Sequence, residues 1–174
     1  MLTNARKPVV GFAAWSGTGK TTLLKEIIPL LRDRGIEVGM VKHAHHGFDI
    51  DKPGKDSYEL RKAGAAQMLV ASSRREALVV ERETGTDPDL NRLLARLDQE
   101  ALDIILVEGF RHETFPKVEL YRAQLGKPPL YPEDDSVIAV ATDNALPVDT
   151  ALPVLDINNP GAIVAFLCAR FCGR

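Results

Sequence analysis

The sequence predicts an α/β fold, a mostly parallel sheet flanked by helices, and two observations carry that prediction. Short apolar runs alternate along the chain with longer stretches whose apolar residues recur at helical spacing, the pattern of repeated βα units. One of those runs, beginning at Val9, breaks into a glycine-rich turn and then opens a helix (VVGFAAWSGTGKTT, residues 9–22). Strand, glycine-rich loop and helix start in that order make the fold P-loop NTPase-like.

The elements follow in order. Residues 8–14 read as a buried strand, and 20–34 as a helix with Leu23, Leu24, Ile27, Leu30 and Leu31 on its apolar stripe and Gly35 at its end. IEVGMVKH (36–43) is a second strand, and the polar stretch AHHGFDIDKPG after it is too rich in Gly, Asp and His to be regular. Asp56 and Glu59 have capping-box spacing and open a helix to about Ala66. QMLVASS and REALVVERE read as a hairpin turning near Ser73 and Arg74. Asp87 as cap, with Pro88 at the first helical position, starts a helix to about Ala101. DIILVEGF (103–110) is the most continuous buried strand; KVELYRA and SVIAVATD are two weaker ones, separated by a Pro-rich loop. PVLDI is a last short strand before a C-terminal helix opened by Asn159 and Pro160. The sheet is therefore expected to be of mixed direction. The pieces 67–83 and 116–123 are expected as inserted strands within a single nucleotide-binding domain spanning 1–174, the hairpin being suited to dimerisation.

The loop chemistry dictates its residue types. Backbone N–H groups of Gly17, Thr18 and Gly19 converge on phosphate oxygens only if bulky side chains stay out of the way. The helix start at Lys20 adds unpaired donors and a positive dipole end. Lys20 would bridge the β- and γ-phosphates and the Thr21 hydroxyl would ligate Mg²⁺, with Ser16 and Thr22 flanking the cradle. One position departs from the usual spacing: Ala14 stands where the pattern has glycine.

In open α/β sheets the ligand lies at the carboxyl ends of the strands. Three more polar clusters map there. Glu108 and Gly109 end the DIILV strand, and Glu108 fits the carboxylate that holds Mg²⁺. Lys42, His43, His45 and His46, followed by Asp49 and Asp51, leave the second strand; the histidines could meet an anion, and Asp49 or Asp51 could orient an attacking water. With His112, all four histidines map to one edge of the sheet, without the regular spacing of a metal site. Asp143, ending SVIAVATD, could read guanine N1–H and its 2-amino group; a turn cap is the alternative, since no longer N-K-x-D motif surrounds it.

A net charge of −2 argues against bulk attraction to nucleic acid or to an anionic membrane. No run reaches the ~18 apolar residues of a membrane helix, and the apolar N-terminal run feeds the phosphate loop, so it does not read as a cleaved leader. The chain is expected to be cytoplasmic, with Cys168 and Cys172 as small free thiols.

The segments AAWSGTGKTTLL, VKHAHHGFDIDKPGKDSYELRKAGA and LDIILVEGF together resemble the accessory (adaptor) proteins of molybdopterin guanine dinucleotide synthesis, the MobB family. The resemblance spans essentially the whole chain, and that family's loop is compatible with Ala14. It implies a GTP- and Mg²⁺-binding homodimer with weak GTPase activity. It also implies association with the guanylyltransferase that joins GMP to molybdopterin, and with molybdopterin or its molybdenum form. Two other functions fit parts of the pattern. A metallochaperone-type GTPase would use the histidine cluster, although no Cys-Pro-His ligand set is present. A small-molecule kinase would need a basic lid, for which Arg74-Arg75 and Arg111-His112 are sparse material.

Overall fold

Ile104, Ile105, Leu106 and Val107 are all fully buried, the mark of a strand covered on both faces. Their strand, β5 (Ile104–Glu108), lies between β1 (Val9–Ala13) and β2 (Val38–Lys42). Beyond β1 come β6 (Lys117–Tyr121), β7 (Val137–Thr142) and β8 (Val154–Asp156), giving the order β2-β5-β1-β6-β7-β8. The computed structural model describes residues 2–44, 47–82 and 87–173. It divides into two compact units: the chain up to His43 together with Asp89 onward, and the segment Ala44–Pro88.

The larger unit holds the six-stranded sheet. Every pairing in it is parallel, so the expected mixed direction is corrected: antiparallel pairing is confined to the other unit. On one face, α1 (Lys20–Arg32) and α4 (Pro160–Leu167) cover Val10, Phe12, Ile104 and Leu106. On the other, α3 (Leu90–Leu94) covers Val9, Ile105 and Val107. Alternate residues of one strand thus feed two cores, which is why β5 reads as an unbroken apolar run. Along α1, Leu23, Leu24, Ile27 and Leu31 are buried, each contributing roughly 1.5–3 kcal/mol. Leu30, expected on that stripe, is 37% exposed; it sits at the stripe's edge.

Three further expectations change. Residues 116–123 are no insertion: β6 is an interior strand paired with both β1 and β7. The third helix is capped by Asp89, whose carboxylate accepts from the Arg92 N–H at 3.3 Å, and not by Asp87. It ends at Leu94, and a separate 3₁₀ turn covers Gln99–Ala101. At the other end of the chain, α4 is capped by Asn159 with Pro160 in its first turn and runs into a π-helical turn, Cys168–Cys172. Cys168 is buried and Cys172 half-buried.

The Ala44–Pro88 unit carries α2 (Asp56–Lys62) and an antiparallel hairpin of β3 (Gln67–Ala71) and β4 (Glu76–Val80). Ser72 forms the turn, its Oγ accepting from the N–H groups of Arg74 and Arg75. Asp56 begins α2 instead of capping it; Lys55 is the cap residue and makes no side-chain cap bond. Glu59 accepts from the Gly54 N–H at 3.2 Å. Among the described residues, no helix is long and apolar enough to cross a membrane.

Candidate functional site

β1 sits inside the sheet, and the loop leaving its carboxyl end is the centre of the site. Gly17 and Gly19 adopt φ of +85° and +93°, a backbone region that glycine enters without steric cost. Ala14 does not share that region, since Phe110 is the only non-glycine with positive φ among the described residues; the departure from the usual spacing therefore costs nothing here. Thr18 is buried, and its hydroxyl donates to the Trp15 carbonyl at 2.7 Å, tightening the loop. Gly19 caps α1, so Lys20, Thr21 and Thr22 form its first turn, with no acidic residue among them. The N–H donors of that first turn and its positive dipole end thus favour an anion at this end of the helix.

One flank of the loop is cationic. Register puts Glu108 beside Phe12 of β1 and beside Lys42 of β2. The Glu108 carboxylate lies 3.8 Å from Lys20 Nζ and 3.2 Å from Lys42 Nζ. Burial lowers the Lys20 pKa below its ordinary value, Glu108 pulls it back up, and the positive charges of Lys42 and Arg111 lower it further. Two cations therefore share one carboxylate, and the charge of a third, Arg111, reaches Lys20, an imbalance that an oligo-anion relieves. His43 continues from β2: its N–H donates to the Glu108 carbonyl at 2.8 Å, and its ring stacks on Phe110 at 4.9 Å between centroids.

The other flank is a cleft of about 380 Å³ between Gly17, Thr18 and Gly19 on one side and Arg122, Asn158 and Pro160 on the other. That volume falls within the range of small-molecule sites. Arg122 crosses it: Nε donates to the Thr18 carbonyl at 3.1 Å and Nη2 to Asn158 Oδ1 at 3.1 Å, while Nη1 pairs with Asp143. The remaining Asp143 oxygen accepts from Asn144 Nδ2 at 2.7 Å. The turn itself is capped by Thr142, whose hydroxyl accepts from the Asn144 N–H.

Asp49 and Asp51 belong to the Ala44–Pro88 unit and serve there as counter-ions. Arg61, only 4% exposed at its side chain, has Asp49 at 2.6 Å, Asp51 at 3.7 Å and Glu81 in direct contact. Asp51 also accepts from the Ser57 hydroxyl at 3.0 Å. His45 and His46 lie outside the described residues.

The structure therefore gathers Gly17 to Thr22, Glu108 and His43 about the carboxyl ends of β1, β2 and β5, and ties Asp143 to Arg122, which lines the cleft. Sequence reasoning missed Arg122 and Asn158. Both stand just past the carboxyl ends of parallel strands, β6 and β8, and that position was the available signal. Reading β6 as an insertion takes its carboxyl end out of the sheet edge where the ligand lies.

Residues 9–143 match the family model described as molybdopterin guanine dinucleotide synthesis protein B. The chain is 54% identical to the molybdopterin-guanine dinucleotide biosynthesis adapter protein of Escherichia coli K12, over 92% of this chain and 91% of that protein. Identity to the protein of the same name from Haemophilus influenzae is 41%, over 94% and 89%. The crystal structure of Bacillus subtilis MobB superposes with a TM-score of 0.74 at 25% identity, covering 96% of this chain and 99% of that one. A phosphate loop on a wholly parallel sheet, a match over most of the chain and a relative sharing half its residues lead to one conclusion: this protein belongs to the molybdopterin guanine dinucleotide synthesis protein B family.

Proposed function

We propose that the chain is a GTP-binding adapter in molybdopterin-guanine dinucleotide biosynthesis, working in the cytoplasm as a homodimer. It would act beside the guanylyltransferase that joins GMP to molybdopterin, and hydrolyse GTP weakly. The single observation that carries the nucleotide part is the loop: two left-handed glycines leading into a helix start, with Lys20 beside Glu108. The adapter part rests on the names of relatives that share 54% and 41% of its residues.

In this reading Ser16, Gly17, Thr18, Gly19, Lys20, Thr21 and Thr22 hold the phosphates, and the nucleoside lies in the cleft with Asp143 at the base. The Thr21 hydroxyl and Glu108 carboxylate are hard oxygen donors of the kind Mg²⁺ takes; the metal would neutralise charge on the β- and γ-phosphates. His43, His45 and His46 would meet the γ-phosphate or the anionic pterin, and Asp49 or Asp51 would orient water after leaving Arg61. The Ala44–Pro88 unit would be an insertion within one nucleotide-binding domain.

The homodimer reading is supported by the hairpin. Leu69 and Leu78 face each other across it and are 62% and 45% exposed, and Val70 on the opposite face is 43% exposed. A two-stranded hairpin with apolar side chains on both faces is unstable in water alone. Neither a metallochaperone nor a kinase is what the two adapter relatives are named. Among the described residues, no group of three His, Cys, Asp or Glu side chains could hold a metal ion.

Calorimetric titration with GTP, GDP and ATP, with and without Mg²⁺, followed by capture of the guanylyltransferase on the immobilised chain, tests the reading. GTP binding and specific capture are expected. Absence of nucleotide binding would remove the phosphate loop from the argument, and absence of capture would remove the adapter role. Asp143→Asn should erase any preference for GTP over ATP, because an amide presents a donor where guanine needs an acceptor.

A further inference from the structure

Directly after Glu108 the chain makes two consecutive left-handed residues, Gly109 at φ +93° and Phe110 at φ +55°. A non-glycine there is strained and persists only where its surroundings over-determine it. They do. Phe110 is 7% exposed and stacks on His43, and a Cβ on Gly109 would approach the Cβ of His43 to 2.6 Å. The turn is thus rigid, and it delivers the next residue, Arg111, to the phosphate loop.

The Arg111 guanidinium lies 4.9 Å from the centre of the Trp15 indole, inside the loop itself. Trp15 is held in place, its Nε1 donating to the Pro128 carbonyl at 2.8 Å, and Lys127 Nζ stands 5.8 Å from the same ring. Arg111 is exposed and donates one bond, from Nε to His112 Nε2 at 3.2 Å. Among the described residues it makes no ion pair with a carboxylate. A fork of five donors, close enough for its charge to act on Lys20, therefore rests on an aromatic face, a weak contact at an exposed site. A phosphate offers such a fork a stronger bidentate contact.

We propose that Arg111 is a phosphate-contacting catalytic residue. It rests on Trp15 and moves onto the terminal phosphate when a nucleoside triphosphate binds. The proposal rests on the nucleotide reading above and adds to it the residue that distinguishes triphosphate from diphosphate. In hydrolysis, the water oxygen forms a bond to the γ-phosphorus and the bond from that phosphorus to the β,γ-bridging oxygen breaks. Its electron pair leaves with the nucleoside diphosphate, and the water proton ends on inorganic phosphate. Arg111 exchanges no atom; its charge balances the oxygens during transfer, as arginines from other positions do in related chemistry.

The test uses the full chain, wild type, Arg111→Ala and Arg111→Lys, with Mg²⁺ and the tri- and diphosphate of whichever base binds tighter. Trp15 is the chain's only tryptophan, so its emission reports departure of the guanidinium. Wild type should show an emission change with triphosphate that diphosphate does not reproduce, and Arg111→Ala should show none. Arg111→Ala should also lose at least about tenfold of the triphosphate-over-diphosphate affinity ratio and of single-turnover hydrolysis, with diphosphate affinity kept. Arg111→Lys should recover only part. A wild-type affinity ratio and turnover in Arg111→Ala overturn the proposal while sparing the nucleotide reading. A wild type that binds no nucleotide overturns both.

Discussion

Gly19 combines φ of +93° with open space, nothing lying within 4 Å of where a Cβ would stand. A side chain there is opposed by backbone conformation alone. Gly19→Ala is therefore expected to cost about 1–2 kcal/mol of stability and a larger fraction of phosphate affinity, because the redirected N–H groups no longer converge. Denaturant unfolding beside calorimetric titration separates the two losses. Lys117 presents a different case. It is 2% exposed, and its ammonium reaches Asp134 at 2.9 Å and Ser136 Oγ at 2.7 Å. Burial penalises the Asp134 carboxylate, but hydrogen bonds from Ser136 and Lys117 outweigh it and hold its pKa below the ordinary 3.8. Stability from that pair is present above the ordinary carboxylate range and is lost as pH falls through the lowered folded value. Asp134→Asn should cost about 3 kcal/mol at pH 7 by leaving a buried ammonium without its counter-charge. The difference from wild type should shrink as pH falls into that range, which urea titrations at a series of pH values would reveal.

At the scale of elements, the buried apolar strands and the phosphate loop were legible because each depends on local pattern. Val9 to Ala13 and Ile104 to Val107 are apolar without interruption, and the glycines, Lys20 and Thr21 stand at fixed offsets. β6 was not legible. KVELY alternates charged and apolar residues and so reads as a half-exposed strand, yet all five residues are buried. Its charges are satisfied by a remote, Pro-rich loop: Lys117 by Asp134, and Glu119 by the N–H groups of Leu130 and Tyr131, each at 2.7 Å. No periodicity announces partners that come from another segment. Burial raises the Glu119 pKa, with those two N–H groups pulling against it. Misreading β6 hid Arg122, which ties the Thr18 carbonyl to Asp143 and Asn158. Arg122→Met should weaken GTP binding about tenfold or more while changing affinity for inorganic tripolyphosphate less, since most of what it braces lies on the nucleoside side. Equal losses for both ligands would place its effect in the loop alone.

For the whole molecule, the Ala44–Pro88 unit interrupts the connection between β2 and β5, which are parallel neighbours in the sheet. What remains between them is α3 and a short turn, the ordinary crossover that parallel strands require. The oligomeric state is expected to depend on the inserted hairpin and not on the sheet. Leu69→Ser with Leu78→Ser should shift the protein toward monomer in sedimentation at micromolar concentration while phosphate binding persists. A dimer unaffected by both changes would move the interface elsewhere.

The sheet order also governs when the site can come into being on the ribosome. Val9 pairs with Ile105 and Gly11 with Lys117, so the strand that carries the phosphate loop waits for partners synthesised about a hundred residues later. At roughly 5–20 residues per second, VVGFA stays unpaired for something like 5–20 seconds of translation. Its neighbour α1 emerges at once and offers Leu23, Leu24 and Ile27 as temporary cover. A message truncated before β6 would therefore yield a loop of correct sequence hung on a strand with one edge bare, prone to pair with another nascent chain before it ever meets a nucleotide.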